Sequence, residues 1–373
     1  MRILHTENSL GWGGQEIRIL GEIEGMQGRG HVMHLLCPRE SRIFEEAGRR
    51  GIAVTALPIA KKRFAGARAL RRWIALHPVD VINTHSSTDS WLTALACATL
   101  SHPPPIVRTR HISAPVPDNA PTRWLYTRAT RSIVTTGEAL KAQLVRDNRF
   151  PAERIVSIPT GIDLKHFQPL ASPDDKRALR MRLKLPPDAH VVGIVATLRS
   201  WKGHRFLIEA FAQLARADAH LLIVGDGPQR AALEGLVAGL QLAAQVTLTG
   251  NQADVLPWLQ AIDVFALPSY ANEGVPQAIL QAFACARPVV TTEAGAIGEV
   301  ACDGETALVV RMQDAADLAR ALKRLAADPQ LGQGLAARAL ELVRRKHGQD
   351  TMLDRMEAVF HAALGGNAAT GRA

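Results

Sequence analysis

Glu273 stands in the stretch SYANEGVPQAILQAF (269–283), directly before a glycine, two residues from a valine–proline pair, and just ahead of an apolar run with helical spacing. A carboxylate there can accept hydrogen bonds from hydroxyls. The amides of Gly274 and Val275 are left to bind an anion or a sugar oxygen, because Pro276 needs no N–H in a first helical turn. Gln281, eight residues beyond Glu273, lies about two turns along and within reach of the same ligand. Two cations, Arg199 and Lys202 in TLRSWKGH, could hold a pyrophosphate, the arginine as a fork and the lysine as a point charge; the plain alternative is a surface loop. His111 closes RTRHIS beside Arg108 and Arg110. A lone histidine is more often structural, but one at a strand end is a candidate for ligand contact. Gly11, Gly13 and Gly14 in GWGGQE could cradle a phosphate at a helix start, although their spacing fits neither the dinucleotide fingerprint nor the P-loop. Pro228 breaks the glycine pattern of GDGPQR (225–230), so that segment reads as a tight turn around Gly227. A polyhydroxylated ligand carrying phosphate suits the set.

Such residues need strand ends to hold them. In the first half, strand-like runs occur at 2–6, 32–37, 53–58, 79–85, 105–111 and 132–136, with amphipathic stretches between them. After a polar stretch, IPTGIDLKHFQPLASPDDKRALR (158–180), read as a linker, the alternation restarts at 191–198, 220–227, 245–250, 263–269, 288–292 and 307–311. Strand and helix in succession argue for parallel sheets covered on both faces. The expectation is an α/β chain of two doubly wound domains facing a cleft, with ligands at the carboxyl ends of the strands. The boundaries expected are 1–165 and 166–346, the C-terminal helix (about 347–373) rejoining the first domain.

Composition narrows the class. With 47% hydrophobic and 21% charged residues, the chain reads as globular, and no run approaches the ~18 apolar residues of a membrane span. It is expected to be cytoplasmic. Four scattered cysteines, Cys37, Cys97, Cys285 and Cys302, fit neither a disulfide scaffold nor a metal site and read as reduced core thiols. The net charge of +9 belongs to one half: residues 1–165 hold 23 Lys+Arg against 14 Asp+Glu, and the remainder 21 of each. Much of it sits in KKRFAGARALRRW, where Lys61, Lys62, Arg63, Arg68, Arg71 and Arg72 accompany Phe64, Leu70 and Trp73. This segment suits an anionic membrane surface, with Phe64 and Trp73 able to enter the interface, or an acidic acceptor, or it is simply a solvated helix face; no nucleic-acid fold surrounds it.

The segments GGQE, SIPTGID, LRSWKGH, LIVGDGP, TLTG, ALPSYANEGVPQAILQAFACARPVVTT and IGEVACDGETALVV, in this order and near this spacing, resemble the retaining glycosyltransferases of the family 4 type, which have the two-Rossmann GT-B fold. The resemblance spans nearly the whole chain, and EG-x-P with its following PVV strand is its most specific part. It implies a nucleotide-sugar donor, a UDP-sugar by expectation, held mainly by the second domain, and a glycan or lipid-linked acceptor held by the basic first domain. The implied setting is lipopolysaccharide or other envelope-glycan synthesis at the inner face of the membrane, with neither cofactor nor metal.

Carried over by position, Glu273 matches the first acidic residue of the family's E-x7-E motif and would hold donor-sugar hydroxyls. The second falls on Gln281, and the usual phosphate-binding arginine on Thr197, with Arg199 as the nearest substitute. His111, Lys202 and Glu273 are the expected catalytic group; Gly13, Gly14, Arg199, Gly250, Gly274, Val275 and Gln281 complete donor binding. Lys61, Lys62, Arg63, Arg71 and Arg72 are assigned to the acceptor or membrane. Glu299 in IGEV is a further candidate, or else a helix-start residue. A sugar-nucleotide epimerase of the same fold, or a non-catalytic nucleotide-sugar-binding protein, would share this layout.

Overall fold

The computed structural model describes residues 1–365. Two units emerge: Met1–Gly161 together with the segment from Gln349 onward, and Ile162–Gly348. In the first, β1 (Arg2–Thr6), β2 (Val32–Cys37), β3 (Val54–Ala56), β4 (Val81–Thr84), β5 (Ile106–Arg110), β6 (Ser132–Thr135) and β7 (Ile155–Ser157) form a parallel sheet in the order β3-β2-β1-β4-β5-β6-β7.

Both faces of this sheet are buried, and the pleat sorts its side chains between them. Ile3, Val81 and Val107 join one core with Ile19, Ile23 and Met26 of helix Gly14–Gly28 and with Met352, Met356 and Phe360 of helix Gln349–Gly365. Leu4, Ile82 and Ile106 join the opposite core with Leu70, Leu92 and Tyr126. The same alternation decides where the polar residues at the strand ends point. The C-terminal helix is held to the first by Arg29, which meets Asp354 at 2.7 Å and Glu357 at 3.0 Å.

In the second unit, β8 (His190–Val195), β9 (Ala219–Val224), β10 (Val246–Leu248), β11 (Val264–Leu267), β12 (Val289–Thr291) and β13 (Leu308–Val309) make a sheet in the order β10-β9-β8-β11-β12-β13, again parallel. Val192, Ile194, Leu222, Phe265 and Phe283 are fully buried there.

Two expectations are corrected, and one strand was not anticipated. The stretch 158–180 is only partly a linker, because Pro173–Arg182 is a helix capped by Ser172, whose hydroxyl accepts from the Asp175 amide at 3.2 Å. Buried Arg180 docks that helix through the Ala261 carbonyl (2.7 Å) and the Asp263 carboxylate (2.6 Å). The edge strand β7, three residues long, is too short to carry a period-two signal. Finally, Cys302 is an exposed thiol, whereas Cys37, Cys97 and Cys285 are buried. Among the described residues no helix is long and apolar enough to cross a membrane.

Candidate functional site

In the second unit the loops after β8, β11 and β12 interlock around one ion pair. Lys202 ends a short 3-10 turn, Ser200–Lys202, after β8, and its Nζ donates to Glu273 Oε1 at 2.6 Å. The Ser269 hydroxyl donates to the same oxygen at 2.7 Å. Glu273 is nearly buried and Lys202 about one-fifth exposed, so the pair is shielded from most solvent screening. The loops are tied by backbone as well: the Tyr270 amide donates to the Trp201 carbonyl at 2.9 Å and the Ala296 amide to the Glu273 carbonyl at 3.3 Å.

Two glycines make these approaches possible. Gly203 has φ +77° and lies so close to Pro268 that a Cβ would come within 2.0 Å of its carbonyl oxygen; Gly295, at φ +62°, would put a Cβ 2.1 Å from the Glu273 carbonyl. Both are left-handed positions against backbone, where a side chain meets strain and collision together.

Beyond Glu273 the chain enters helix Gln277–Ala284, with Pro276 at the cap position, one residue before the first turn expected for it. Gly274 and Val275 are buried, and their amides make no hydrogen bond to any described residue. Gln281 is 5% exposed, one turn into that helix. Arg199 is exposed, its guanidinium 5.7 Å from the centre of the Trp201 ring. Gly250 has φ +73° and its carbonyl accepts from the Gly225 amide at 2.9 Å. Glu299 is exposed in a 3-10 turn, Ile297–Glu299. The interlocked loops offer a fixed carboxylate, a cation and unpaired amides together, a set that can hold hydroxyls and an anion.

The first unit gathers a different chemistry at the ends of β1, β4 and β5. Helix Gly14–Gly28 does start at the glycine turn, with Gly13 as its cap. The buried Glu16 carboxyl draws on the Ser9 hydroxyl and on the amides of Glu16 and Gly13, while burial pushes its pKa up. The turn thus spends part of its anion-binding capacity on its own side chain. Glu7 accepts from the Ser9 amide (2.7 Å), the Ser86 hydroxyl (2.8 Å) and the Gln15 amide. Asp89 accepts from Thr6 Oγ1 (2.8 Å) and from the amides of His85 (2.9 Å) and Ser86 (2.8 Å). Burial and the nearness of Asp89 push the Glu7 carboxyl up, and burial does the same to Asp89.

His111 does not stand alone. Its Nε2 is 3.0 Å from His85 Nδ1, and His85 Nε2 is 2.9 Å from His5 Nδ1. Burial, with the nearby charge of Arg18, holds all three imidazoles below their usual range, His5 at about 3. The motif RTRHIS marks His111 but neither of its partners, His85 and His5. The signal was present: RILHT, VINTH and RTRH each place a histidine at a strand end on the same side of the pleat. Among the described residues no three His, Cys, Asp or Glu side chains are grouped to hold a metal ion.

The basic segment forms helix Phe64–Leu76, burying Gly66, Leu70 and Ile74 and leaving Lys61, Lys62, Arg63, Arg68, Arg71 and Arg72 exposed. Phe64 is 84% and Leu76 69% exposed. Trp73, expected as an interfacial anchor, is instead occupied by His77 and His34, with ring centres 4.1 and 4.8 Å away.

Comparison with known proteins gives the same two divisions. Residues 12–166 match the family described as Glycosyltransferase Family 4, and residues 189–328 that described as Glycosyl transferases group 1. The chain is 30% identical over 304 residues, 74% of its length, to D-inositol 3-phosphate glycosyltransferase of Stackebrandtia nassauensis. It is 33% identical over 235 residues, 63% of its length, to the lipopolysaccharide core biosynthesis glycosyltransferase LpsE of Rhizobium meliloti. These matches span 67% and 65% of the two relatives, so about a third of each lies outside the likeness. Among solved structures, Anabaena HepE in complex with UDP-glucose superimposes with a TM-score of 0.84 over 97% of this chain and all of that one, at 22% identity. At that identity the likeness speaks for the fold.

Proposed function

The chain belongs to glycosyltransferase family 4 and has the family's GT-B fold, and we propose that it is a retaining enzyme moving a sugar from a nucleotide-sugar donor to a glycan or lipid-linked acceptor. The observation that carries this reading is the Lys202–Glu273 pair at 2.6 Å, set beside the unpaired amides of Gly274 and Val275. Lys202 and Arg199 take the diphosphate, Glu273 the sugar hydroxyls, the two amides a phosphate or sugar oxygen, and Gln281 the ribose through its amide. Gly250 lines the donor side, and the turn at Gly13 and Gly14 offers backbone amides to a phosphate. His111 meets a hydroxyl of the donor sugar or acceptor. The leaving diphosphate accepts the acceptor proton during front-face attack, so the protein's part is positioning and charge stabilisation. The relative bound to UDP-glucose supports a UDP-sugar as donor. A panel of nucleotide sugars, scored by protection against thermal unfolding and by donor hydrolysis, tests this. A UDP-sugar is expected to protect, and protection by none would remove the donor reading.

Helix Phe64–Leu76 supports an acceptor carried on an anionic membrane, as in envelope-glycan synthesis. Each exposed cation contributes roughly 1 kcal/mol of attraction to anionic lipid, and Phe64 is free to enter the interface. Lys62 and Arg71 are lightly held, by the Ser87 hydroxyl at 3.3 Å and the Thr99 hydroxyl at 3.0 Å. Co-sedimentation with anionic liposomes should be salt-sensitive and should fall when Lys61, Lys62, Arg71 and Arg72 are changed to Ser. Equal sedimentation would leave the helix as a solvated face.

A further inference from the structure

His5, His85 and His111 lie in one row, and each link runs in the same sense, Nδ1 of one ring to Nε2 of the next, at 2.9 and 3.0 Å. At the inner end His5 Nε2 is buried without a hydrogen-bond partner, 3.7 Å from Glu22 Oε1. Glu22 Oε2 is likewise buried without a hydrogen bond, its nearest charge Arg18 Nε at 3.8 Å. At the outer end His111 is only half-buried and its Nδ1, bonded by no described residue, is open to a ligand or water. We propose that this row is a tautomer relay, in which a proton taken up or released at Glu22 decides whether His111 presents Nδ1 to a ligand hydroxyl as a donor or as an acceptor. The ligand's identity rests on the function proposed above; the relay rests on the geometry.

With Glu22 ionised, His5 directs its Nε2–H toward the carboxylate. His85 must then donate from Nε2 to His5 Nδ1, and His111 from Nε2 to His85 Nδ1. That leaves a lone pair on His111 Nδ1, an acceptor. With Glu22 protonated, every link reverses and His111 Nδ1 carries the hydrogen, a donor. Passing from the first form to the second, one proton enters at His111 Nδ1 from water or a bound hydroxyl. His111 gives its Nε2–H to His85, His85 gives its own to His5, and His5 gives its own to Glu22. Each ring holds one hydrogen before and after, and only the carboxylate is neutralised. The contact between His5 and Glu22 is longer than a hydrogen bond. A shift of about 1 Å closes it and satisfies a buried atom that otherwise bears a desolvation cost.

The surroundings favour neutral rings and an adjustable carboxyl. Glu22 is faced by Arg18 on its own helix (Nε to Oε2 3.8 Å), by His5 on β1, and by Asn83 on β4, which donates to Oε1 at 3.2 Å. Thr109 on β5 donates to Asn83 Oδ1 at 2.9 Å, which fixes the amide's orientation. From the C-terminal helix, Arg355 lies near enough to act on Arg18, and Phe360 packs edge-on against His5. Burial pushes Glu22 up to about 7 against the pull of Arg18 and Asn83, so its proton is exchangeable near neutrality. A second proton on any ring would add a buried cation beside Arg18.

The test is nitrogen NMR of the full chain with labelled histidines, titrated from about pH 5.5 to 8.5, a range that brackets ordinary histidine titration. Signals are assigned through His5→Gln, His85→Gln and His111→Gln. The expected result is a concerted exchange of the hydrogen between Nδ1 and Nε2 in all three rings, with Nδ1–H of His111 dominant on the acid side. In Glu22→Gln, whose amide does not titrate in this range, the exchange disappears. A fixed tautomer at His111, a second proton on it, or an exchange that persists in Glu22→Gln each overturns the relay. If Glu22→Gln does not fold, the wild-type titration alone decides. No donor is present in the measurement, so a relay without protection by any nucleotide sugar would sink the donor reading alone, and the reverse result the relay alone.

Discussion

The two units share a parallel-sheet plan but treat buried charge in opposite ways. In the second, charges come in pairs: Asp263 meets Lys176 at 2.5 Å and Arg180 at 2.6 Å, and Glu273 meets Lys202 at 2.6 Å. Although burial pushes Asp263 up, Arg180 and Lys176 hold it below its ordinary range. In the first, Glu7, Glu16, Glu22 and Asp89 are pushed up and His5, His85 and His111 pushed down, burial being the largest cause each time. A paired group keeps its charge and serves as fixed electrostatics. A group whose burial outweighs its counter-charge, as Glu22's does with Arg18 3.8 Å away, surrenders its charge and becomes a site of proton exchange. The second unit departs from this at its histidines: His204 is held at about 3 by burial and by Lys202, and burial likewise lowers His190 and His220.

The sharpest way to break this contrast is to remove fixed charge where it is paired. Lys202→Ala and Glu273→Ala should each lower turnover on the order of 10²–10³-fold, the scale of one preorganised electrostatic group, with the fold intact by circular dichroism. Each should also melt earlier, having stranded its partner's charge. The double change Lys202→Met with Glu273→Gln should recover the melting temperature but not the turnover. Wild-type turnover in either single variant removes the pair from the site.

In the first unit the contrast predicts a pH effect. The folded pKa of Glu22 is raised from 4.5 to about 7, so its contribution is complete below about 4.5 and is lost as pH rises through about 7. Relative to wild type, Glu22→Gln should therefore gain stability across that window, by up to about 3 kcal/mol. His5 runs the other way: its folded pKa is about 3 against 6.5, so its contribution is present above about 6.5 and lost as pH falls toward about 3. Chemical denaturation at several pH values reads both slopes. A constant difference between wild type and Glu22→Gln would mean that Glu22 is ionised throughout.

A smaller effect is expected at Gln281. Replacing its amide with a carboxylate, Gln281→Glu, should shift donor affinity or nucleotide choice about ten- to a hundredfold, the scale of one charged hydrogen bond. An unchanged donor profile in a binding titration would place Gln281 outside the site. The smallest expectation is no change: if Lys202, Arg199 and backbone amides neutralise the diphosphate, EDTA leaves turnover unaltered. Loss with EDTA and recovery with Mg²⁺ or Mn²⁺ would overturn that assignment.

Residue order alone was enough to locate most strands, because β-branched and aliphatic runs such as VVGIV and VFAL announce two-sided burial locally. It was enough, too, to mark Glu273, Lys202 and His111 as strand-end residues. The helix Pro173–Arg182 was hidden inside a proline-containing stretch, though its Ser172 cap and the proline of its first turn are ordinary helix-start signals. Trp73 was misread because an aromatic on a basic helix looks interfacial until His34 and His77 are found against it.

What the sequence by itself determined is therefore the set of elements and the chemical types at their ends, since both follow from patterns a few residues long. Only the tertiary structure decided which of those ends meet. Lys202 and Glu273 are 71 residues apart, and His5, His85 and His111 are separated by 80 and 26. Their contacts depend on strand order, register and pleat, and strand order places β1, β4 and β5 side by side although the chain visits β2 and β3 between the first two. Protonation follows contact, because a buried group's charge is set by what lies within a few ångströms of it in space.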